Sequence, residues 1–323
     1  MRWTLTLLSI LALPALAGGA QPGAAAAPAL TVVDATAGFW TFWDTAATLP
    51  EAQRIQRFCD LVVVPHPEFY AADVLDKMAL DPGSCDTDPA GIVGRYLRDV
   101  VPYVPRMRAI SATVRAQFDE FAADFGRTFP DFAPSSPVVF TVSLFSFDGA
   151  TRTIGGHTVL LFGIDGIARF HAPNANLKVL FDHELFHQYH DQILPGPPDD
   201  SRPLWMALWE EGLATYVSGR MNPQSTESDV LLSDSLGAAA RPVLPMLARE
   251  LSKNLDSVDN DEYAAFFYAN NARKDLPPRG GYYVGYQVAR SLAAGRSLQE
   301  MARLHGPELE AAIRAALEKL GAS

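Results

Sequence analysis

A pair of histidines four positions apart is the feature of this 323-residue chain that points most directly to chemistry. His183 and His187 open and close the segment His183-Glu184-Leu185-Phe186-His187, an HExxH motif. If the segment is helical, residues four apart lie on one face, so both imidazoles can bind a single metal ion. Glu184 then lies beside the metal, where it can act as a general base on an activated water. The spacing therefore predicts two zinc ligands and a catalytic base.

A third protein ligand is expected downstream, because a catalytic zinc takes three protein ligands and leaves one position open for water. Glu210 and Glu211 lie on a second predicted helix, beyond a proline-rich loop. We predict that Glu211 binds the metal, with Glu210 as the alternative. The small residues Gly212 and Ala214 would let this helix approach the HExxH helix closely. One Zn2+ per chain is therefore the expected cofactor.

These motifs resemble those of a known enzyme group. HExxH followed on a second helix by Glu211-Gly212-Leu213-Ala214 is similar to the gluzincin branch of the zincin metallopeptidases, which includes thermolysin and the aminopeptidase N type enzymes. In that pattern the Glu before Gly binds zinc, which corresponds to Glu211. With the later stretch from Gly281 to Tyr286, the arrangement is also similar to a bacterial family described only as predicted zinc-dependent proteases. The resemblance spans roughly residues 137–304 and implies a zincin-like fold and peptide-bond hydrolysis.

The same resemblance implies a role for the tyrosine-rich stretch. Gluzincins often place a Tyr or His where negative charge develops on the substrate oxygen, and such a hydrogen bond stabilises the transition state. Tyr282 and Tyr286 share a predicted helix face, and Gly285 permits close packing against the active-site helix. We predict the oxyanion role for Tyr282, with a tyrosine packed in the core as the alternative. Arg279 could bind a substrate carboxylate, but a surface charge is the preferred interpretation.

The other histidines are predicted to lie outside the metal site. His190 stands where the metzincin pattern has Gly and is interpreted as a helix-surface residue. Asp182 could orient the imidazole of His183, but its position on the helix is poor for that role. Four further histidines have no partner at ligand spacing: His66, His157, His171 and His305.

The hydrophobic pattern predicts an α+β fold, mostly helical with a small mixed or antiparallel sheet beside the HExxH helix. We expect a helical N-terminal region at residues 30–133 and a zincin-like metallopeptidase region at 134–323. Residues 138–147 and 158–164 are rich in Val, Phe and Thr and predict two strands, paired as a hairpin or meander. The second strand could also pair with an extended peptide substrate, although a purely structural strand is the default.

Two helices should carry the site. Asn174 or Asn176 can cap a helix that runs from Leu177 to about Ile193, where a run of prolines ends it. The second helix has Ser201 available as its N-cap and should continue to a stop near Gly219.

The N-terminus predicts export. Arg2, the apolar run Leu5 to Leu16 and the cleavage-type sequence Ala15-Leu16-Ala17 indicate a signal peptide at residues 1–20, and the run is too short for a membrane anchor. Residues 21–29, rich in Gly, Ala and Pro, predict a flexible leader. A periplasmic or secreted protein is therefore expected.

The cysteine count agrees with export. The chain has two cysteines, Cys59 and Cys85, and an exported chain with an even count favours a disulfide between them over two buried thiols. A formal net charge of −11 with no basic run argues against a nucleic-acid partner, and no later apolar stretch predicts a membrane span.

Together these features predict an exported zinc-dependent peptidase, with an endopeptidase expected because the exopeptidase motif that binds a substrate amino terminus is not evident. A peptide or protein is the expected partner. One alternative is a catalytically silent zinc- or peptide-binding envelope protein, against which the intact Glu184 argues. Another is a hydrolase of cell-wall peptide amides.

Overall fold

The computed structural model describes residues 30–75, 78–80, 85–134, 136–197 and 201–322. The signal peptide and leader predicted for residues 1–29 lie outside the described residues. The strands are β1 (Val32–Asp34), β2 (Val138–Thr141), β3 (Gly149–Ile154) and β4 (His157–Gly163). The α-helices are α1 (Ala37–Thr45), α2 (Glu51–Phe58), α3 (Ala72–Leu75), α4 (Ile92–Asp99), α5 (Val104–Thr128), α6 (Ile164–Phe170), α7 (Leu177–Ile193), α8 (Leu204–Met221), α9 (Glu227–Val230), α10 (Leu236–Ala240), α11 (Leu244–Asn254), α12 (Asn260–Phe267), α13 (Gly280–Leu292), α14 (Leu298–Ala302) and α15 (Gly306–Gly321).

The four strands form one mixed sheet in the order β1-β2-β4-β3. β1 runs parallel to β2, β2 runs parallel to β4, and β3 is antiparallel to β4. This confirms the expected α+β class, mostly helical with a small mixed sheet. β1 is a strand inside the 30–133 region predicted as helical, and it forms because its Val-Val pair finds a partner in β2, about a hundred residues later in the sequence.

The predicted pairing of the two strands was wrong. β2 and β4 run parallel, and the hairpin joins β3 to β4 through Gly155-Gly156, both with positive φ. β2 also ends earlier than expected, because the chain turns at Leu144 and Phe145, which adopt left-handed backbone conformations. Asp165 holds that turn by accepting hydrogen bonds from two backbone N–H groups, those of Ser143 and Phe145 (2.7 and 2.8 Å). The missed strand, β3, therefore begins directly after this loop.

The HExxH helix α7 has the predicted bounds. Its N-cap is Asn176, whose side chain accepts a hydrogen bond from the Lys178 backbone N–H (3.1 Å). Phe181 of α7 packs against Phe162 of the sheet (4.8 Å between ring centroids) and against Phe118 of α5 (5.3 Å). These aromatic contacts fix α7 between the sheet and α5 and so orient the motif.

The second helix, α8, lacks the predicted Ser201 cap. Pro203 occupies the N-cap position, and no side chain caps the helix. Instead, the Leu204 and Trp205 backbone N–H groups donate to carbonyls of a distant loop, those of Ser257 and Leu255 (both 2.9 Å). Tertiary contacts therefore satisfy the first N–H groups, and a serine is not required.

The predicted disulfide joins Cys59 and Cys85, with a Cα–Cα distance of 6.0 Å, and ties the end of α2 to the segment before α4. Among the described residues, none of the helices has the length and apolar character needed to cross a membrane.

Candidate metal centre and active-site cleft

Three predicted ligands, His183, His187 and Glu211, come together in a group that could hold a metal ion. The two imidazole Nε2 atoms lie 3.1 Å apart, and Oε2 of Glu211 lies 3.4 Å from each of them. Ligand atoms about 2.0 Å from a tetrahedral zinc lie about 3.3 Å from one another. One ion placed between the three atoms would therefore reach all of them at bonding distance.

The carboxylate of Glu211 also lacks an ordinary hydrogen bond. Its Oε2 atom is buried and has no hydrogen-bond partner among the described residues. Burial alone would raise the pKa of Glu211, but the two imidazoles hold that pKa well below its usual range. A buried anionic oxygen of this kind is costly unless a cation satisfies it, which supports the fit to a metal.

The two neighbouring glutamates of α8 have different contacts. Glu211 points to the histidine pair, whereas Glu210 accepts a hydrogen bond from Arg202 (2.8 Å). Of the two candidates, the structure therefore brings Glu211 to the metal group and pairs Glu210 with an arginine.

The small residue Gly212 serves a different contact from the predicted one. A Cβ at Gly212 would lie 2.2 Å from the carbonyl carbon of Gly285, and a Cβ at Gly285 would lie 2.4 Å from the carbonyl oxygen of Leu208. The two glycines thus let α8 approach α13, and neither is the close contact to the HExxH helix that the sequence suggested. This backbone contact places α13, which carries Tyr282, beside the metal group.

Glu184 faces the start of β3. A Cβ at Gly149 would lie 2.6 Å from Oε1 of Glu184, so the carboxylate occupies the space that the glycine leaves. Burial raises the pKa of Glu184 to about 7 against the opposing charge of His187, and the nearby Asp148 carboxylate contributes in the same direction as burial.

Asp148 belongs to a second imidazole–carboxylate cluster that the sequence did not indicate. His171 Nε2 lies 2.7 Å from Asp148 Oδ2, a hydrogen bond in which the imidazole donates to the carboxylate. The other oxygen, Oδ1, accepts from the Gly149 backbone N–H (2.9 Å). The view of His171 as isolated was therefore wrong, because 23 residues separate it from Asp148 and no local spacing relates the two.

These groups line a cavity of about 860 Å³. β3 forms one wall, and aromatic side chains of the α12–α13 region, Tyr263, Tyr268 and Tyr282, line another part. The Tyr282 ring lies 6.4 Å from the His183 ring, centroid to centroid. Tyr286 instead packs near Tyr216 (6.5 Å), so of the tyrosine pair only Tyr282 lines the cavity.

Two sequence interpretations, those of His190 and Arg279, change with the tertiary structure, whereas the view that Asp182 is poorly placed to orient His183 holds. His190 is buried, 7% exposed, and its ring stacks on Phe186 (5.6 Å), so it is not a surface residue. Asp182 bonds Lys178 and Asn222 (2.6 Å each), while Nδ1 of His183 has no hydrogen-bond partner among the described residues. Asp182 therefore does not orient the imidazole.

The interpretation of Arg279 is the second to change. This residue is partly buried, lines the cavity, and its guanidinium lies 4.3 Å from the centre of the Tyr282 ring. The preferred interpretation, a surface charge, was wrong.

The sheet offers its edge to the same cavity. β3 is an edge strand and its residues 149–153 line the cavity, whereas β4 lies between β2 and β3. The strand predicted to be available to an extended peptide, residues 158–164, is therefore internal, and the open edge belongs to β3.

No protein-family model, curated protein or solved structure matches the chain. The functional interpretation consequently rests on the geometry of this site.

Proposed function

We propose that this protein is an exported zinc-dependent endopeptidase. The observation that carries the proposal is the group of three ligand atoms, 3.1–3.4 Å apart, next to Glu184 in a cavity that an open strand edge also lines. Two histidines and a glutamate are the ligand set of catalytic rather than structural zinc, because they leave one position for water. The disulfide is compatible with export.

Zinc bound by His183, His187 and Glu211 would act as a Lewis acid and lower the pKa of a water in the open position. Glu184 takes the proton of the attacking water and passes it to the amine that leaves. Its carboxylate lies against Gly149, where it lines the cavity.

Tyr282 donates a hydrogen bond to the oxygen on which negative charge develops. Its support is its place in the cavity that β3 also lines, with its ring 6.4 Å from the His183 ring. The edge of β3 that pairs with no described strand binds the substrate backbone as an added strand, so affinity comes from main-chain hydrogen bonds and specificity from the surrounding pockets.

The test is zinc content by elemental analysis, together with cleavage of unfolded casein, on the purified mature protein. Wild type and Glu184→Gln should each bind one zinc, but only wild type should cleave. Glu211→Gln should lose zinc, whereas Glu210→Gln, a matched change one residue away whose target pairs with Arg202, should keep it.

Full zinc content in Glu211→Gln would contradict the ligand assignment. Zinc without casein cleavage would favour a metal-binding protein without turnover, and cleavage of a cell-wall peptide amide but not of casein would favour the amide hydrolase. Each alternative therefore has its own outcome.

A further inference from the structure

Arg279 is held in an unusual backbone conformation at the edge of the cavity. Its φ is 58°, in the left-handed region, and it directly precedes α13. Its Nη1 donates to the carbonyl oxygen of Leu232 (3.0 Å), itself a left-handed residue with φ 49°. Non-glycine residues in this region cost free energy and occur preferentially where a site requires them. The two strained residues therefore hold one another in place beside the cavity.

The described contacts of the Arg279 guanidinium are with a backbone carbonyl and an aromatic ring. Among the residues that the structure describes, no Asp or Glu lies within ion-pair distance of Arg279, whose contacts are the Leu232 carbonyl and the Tyr282 side chain. By contrast, Arg202 lines the same cavity and is paired with Glu210 (2.8 Å). A guanidinium carries five N–H donors in a planar fork that matches a carboxylate. Arg279 thus keeps donors for a ligand.

The position of this charge relates it to the proposed chemistry. The Tyr282 ring contacts Arg279 on one side (4.3 Å) and lies 6.4 Å from the His183 ring. Burial alone would lower the pKa of Arg279, but Tyr282, Asp148 and Glu211 raise it, so the side chain stays cationic. A carboxylate bound here would lie within a short peptide's reach of the metal group.

We infer that Arg279 is a receptor for a substrate carboxylate, so that the cleft prefers peptides with a free C-terminal carboxylate or an acidic side chain close to the cleaved bond. This inference rests on the proposed peptidase function, because it assigns the substrate class of the same site. A C-terminal carboxylate and an acidic side chain present the same group to Arg279, and peptides that carry only one of the two distinguish them.

The test is calorimetric binding to Glu184→Gln, which removes turnover. The probes are acetyl-Ala-Ala-Phe-Ala-Ala as free acid and as C-terminal amide, and two amides with Glu or Gln as the fourth residue. We expect the free acid, the Glu amide or both to bind about 10- to 100-fold more tightly than the matched neutral peptide. Adding Arg279→Gln should remove the preference, and Arg279→Lys should keep part of it, since a lysine retains the charge without the fork.

Arg152→Gln is the matched control. Arg152 also lines the cavity, but it follows Thr151 on β3 and therefore points to the opposite sheet face from Thr151, which bonds Gln188 of α7 (2.9 Å). Equal binding of acidic and neutral peptides would overturn the inference, as would loss of the preference in Arg152→Gln and not in Arg279→Gln. Unfolding temperatures identify a misfolded variant. If Arg279→Gln is misfolded, the inference is tested by whether Arg279→Lys keeps part of the carboxylate preference.

Failure of the parent proposal has a different signature. The peptidase function would be contradicted if the wild-type protein cleaved none of the peptides. A carboxylate preference in binding would still support Arg279 as the receptor in that case. Casein cleavage without any carboxylate preference would do the reverse.

Discussion

Two clusters of imidazole and carboxylate flank Glu184, and they differ in how complete they are. In one, His171 and Asp148 meet directly in a hydrogen bond of 2.7 Å. In the other, the ligand atoms of His183, His187 and Glu211 stay 3.1–3.4 Å apart, and the buried carboxylate oxygen has no hydrogen bond within the part of the chain that the structure describes. The same residue types thus form a closed pair and an open group. The candidate metal site is therefore identified by two features together, three ligand atoms spaced around room for one ion and a buried carboxylate oxygen with no hydrogen bond among the described residues.

The supports of the two clusters account for this difference. Asp148 lies on the loop before β3, and His171 follows the end of α6, so neither residue of the closed pair projects from within a helix. The three metal-group residues project from α7 and α8, two helices that pack against each other. Packed helices cannot close a gap of this kind, so the gap remains available to an ion.

Removal of the metal is expected to change stability most, and it tests whether the open group binds an ion. A chelator should lower the unfolding temperature of the zinc-loaded protein by about 10 °C, because an ion present at a thousand times its Kd adds about 4 kcal/mol to the folded state. Scanning calorimetry measures this. Asp148→Asn should show the same chelator shift and Glu211→Gln should show none. Identical melting of the wild-type protein with and without chelator would contradict the prediction.

The next largest effect is expected from a substitution at the contact between α8 and α13, which should disturb the open group. Gly212→Ala should destabilise the protein by about 3 kcal/mol and weaken zinc binding, because the new Cβ meets the backbone of Gly285 at 2.2 Å and displaces Glu211. Chemical denaturation and zinc titration measure the two changes. Gly126→Ala, on α5, is the matched control, since a Cβ there meets nothing within 4 Å. Normal stability and zinc affinity in Gly212→Ala would show that this contact does not position Glu211.

A substitution that breaks the closed pair should have a smaller effect on stability. Asp148→Asn should cost about 2 kcal/mol of unfolding free energy at neutral pH, because it removes a charged hydrogen bond from His171. Burial alone would raise the pKa of Asp148, but His171 holds it well below its usual range. A depressed carboxylate pKa stabilises the fold above the unfolded value of about 4, and that stability is lost as the pH falls.

The difference between wild type and Asp148→Asn should therefore shrink below about pH 4. Denaturation curves across this range, recorded without zinc, provide the measurement. A difference that stays constant from neutral to acid pH would mean that the charge of Asp148 does not contribute.

A substitution at Gly149, which lies against Glu184 between the two clusters, should have the smallest effect on stability. Gly149→Ala should change the free energy of unfolding by less than about 1 kcal/mol, because its Cβ meets the mobile end of the Glu184 side chain at 2.6 Å. Displacement of that carboxylate should lower casein hydrolysis by about 10- to 100-fold. Zinc content serves as the control and should not change. Undiminished hydrolysis would argue that Gly149 leaves Glu184 free to act.

Local patterns predicted much of the fold. The bounds of α7 and its Asn176 cap followed from helical periodicity and capping chemistry, both of which act within a few residues. The disulfide followed from the cysteine count, and it is present. The strand pairing was predicted wrongly, since β2 and β4 have similar compositions in either orientation and the intervening β3 carries a weak, Gly- and Thr-containing pattern.

The sequence alone determined that His183 and His187 share a helix face and that Glu184 projects about 100° around the helix from His183, because a period of 3.6 residues fixes these relations locally. Only the tertiary structure decided which of Glu210 and Glu211 meets the histidines, because that choice depends on how α8 is rotated against α7. The same holds for the Asp148–His171 pair, the burial of His190 and the placement of Arg279 in the cavity. Each depends on contacts between segments far apart in the chain, and no spacing within one segment encodes them.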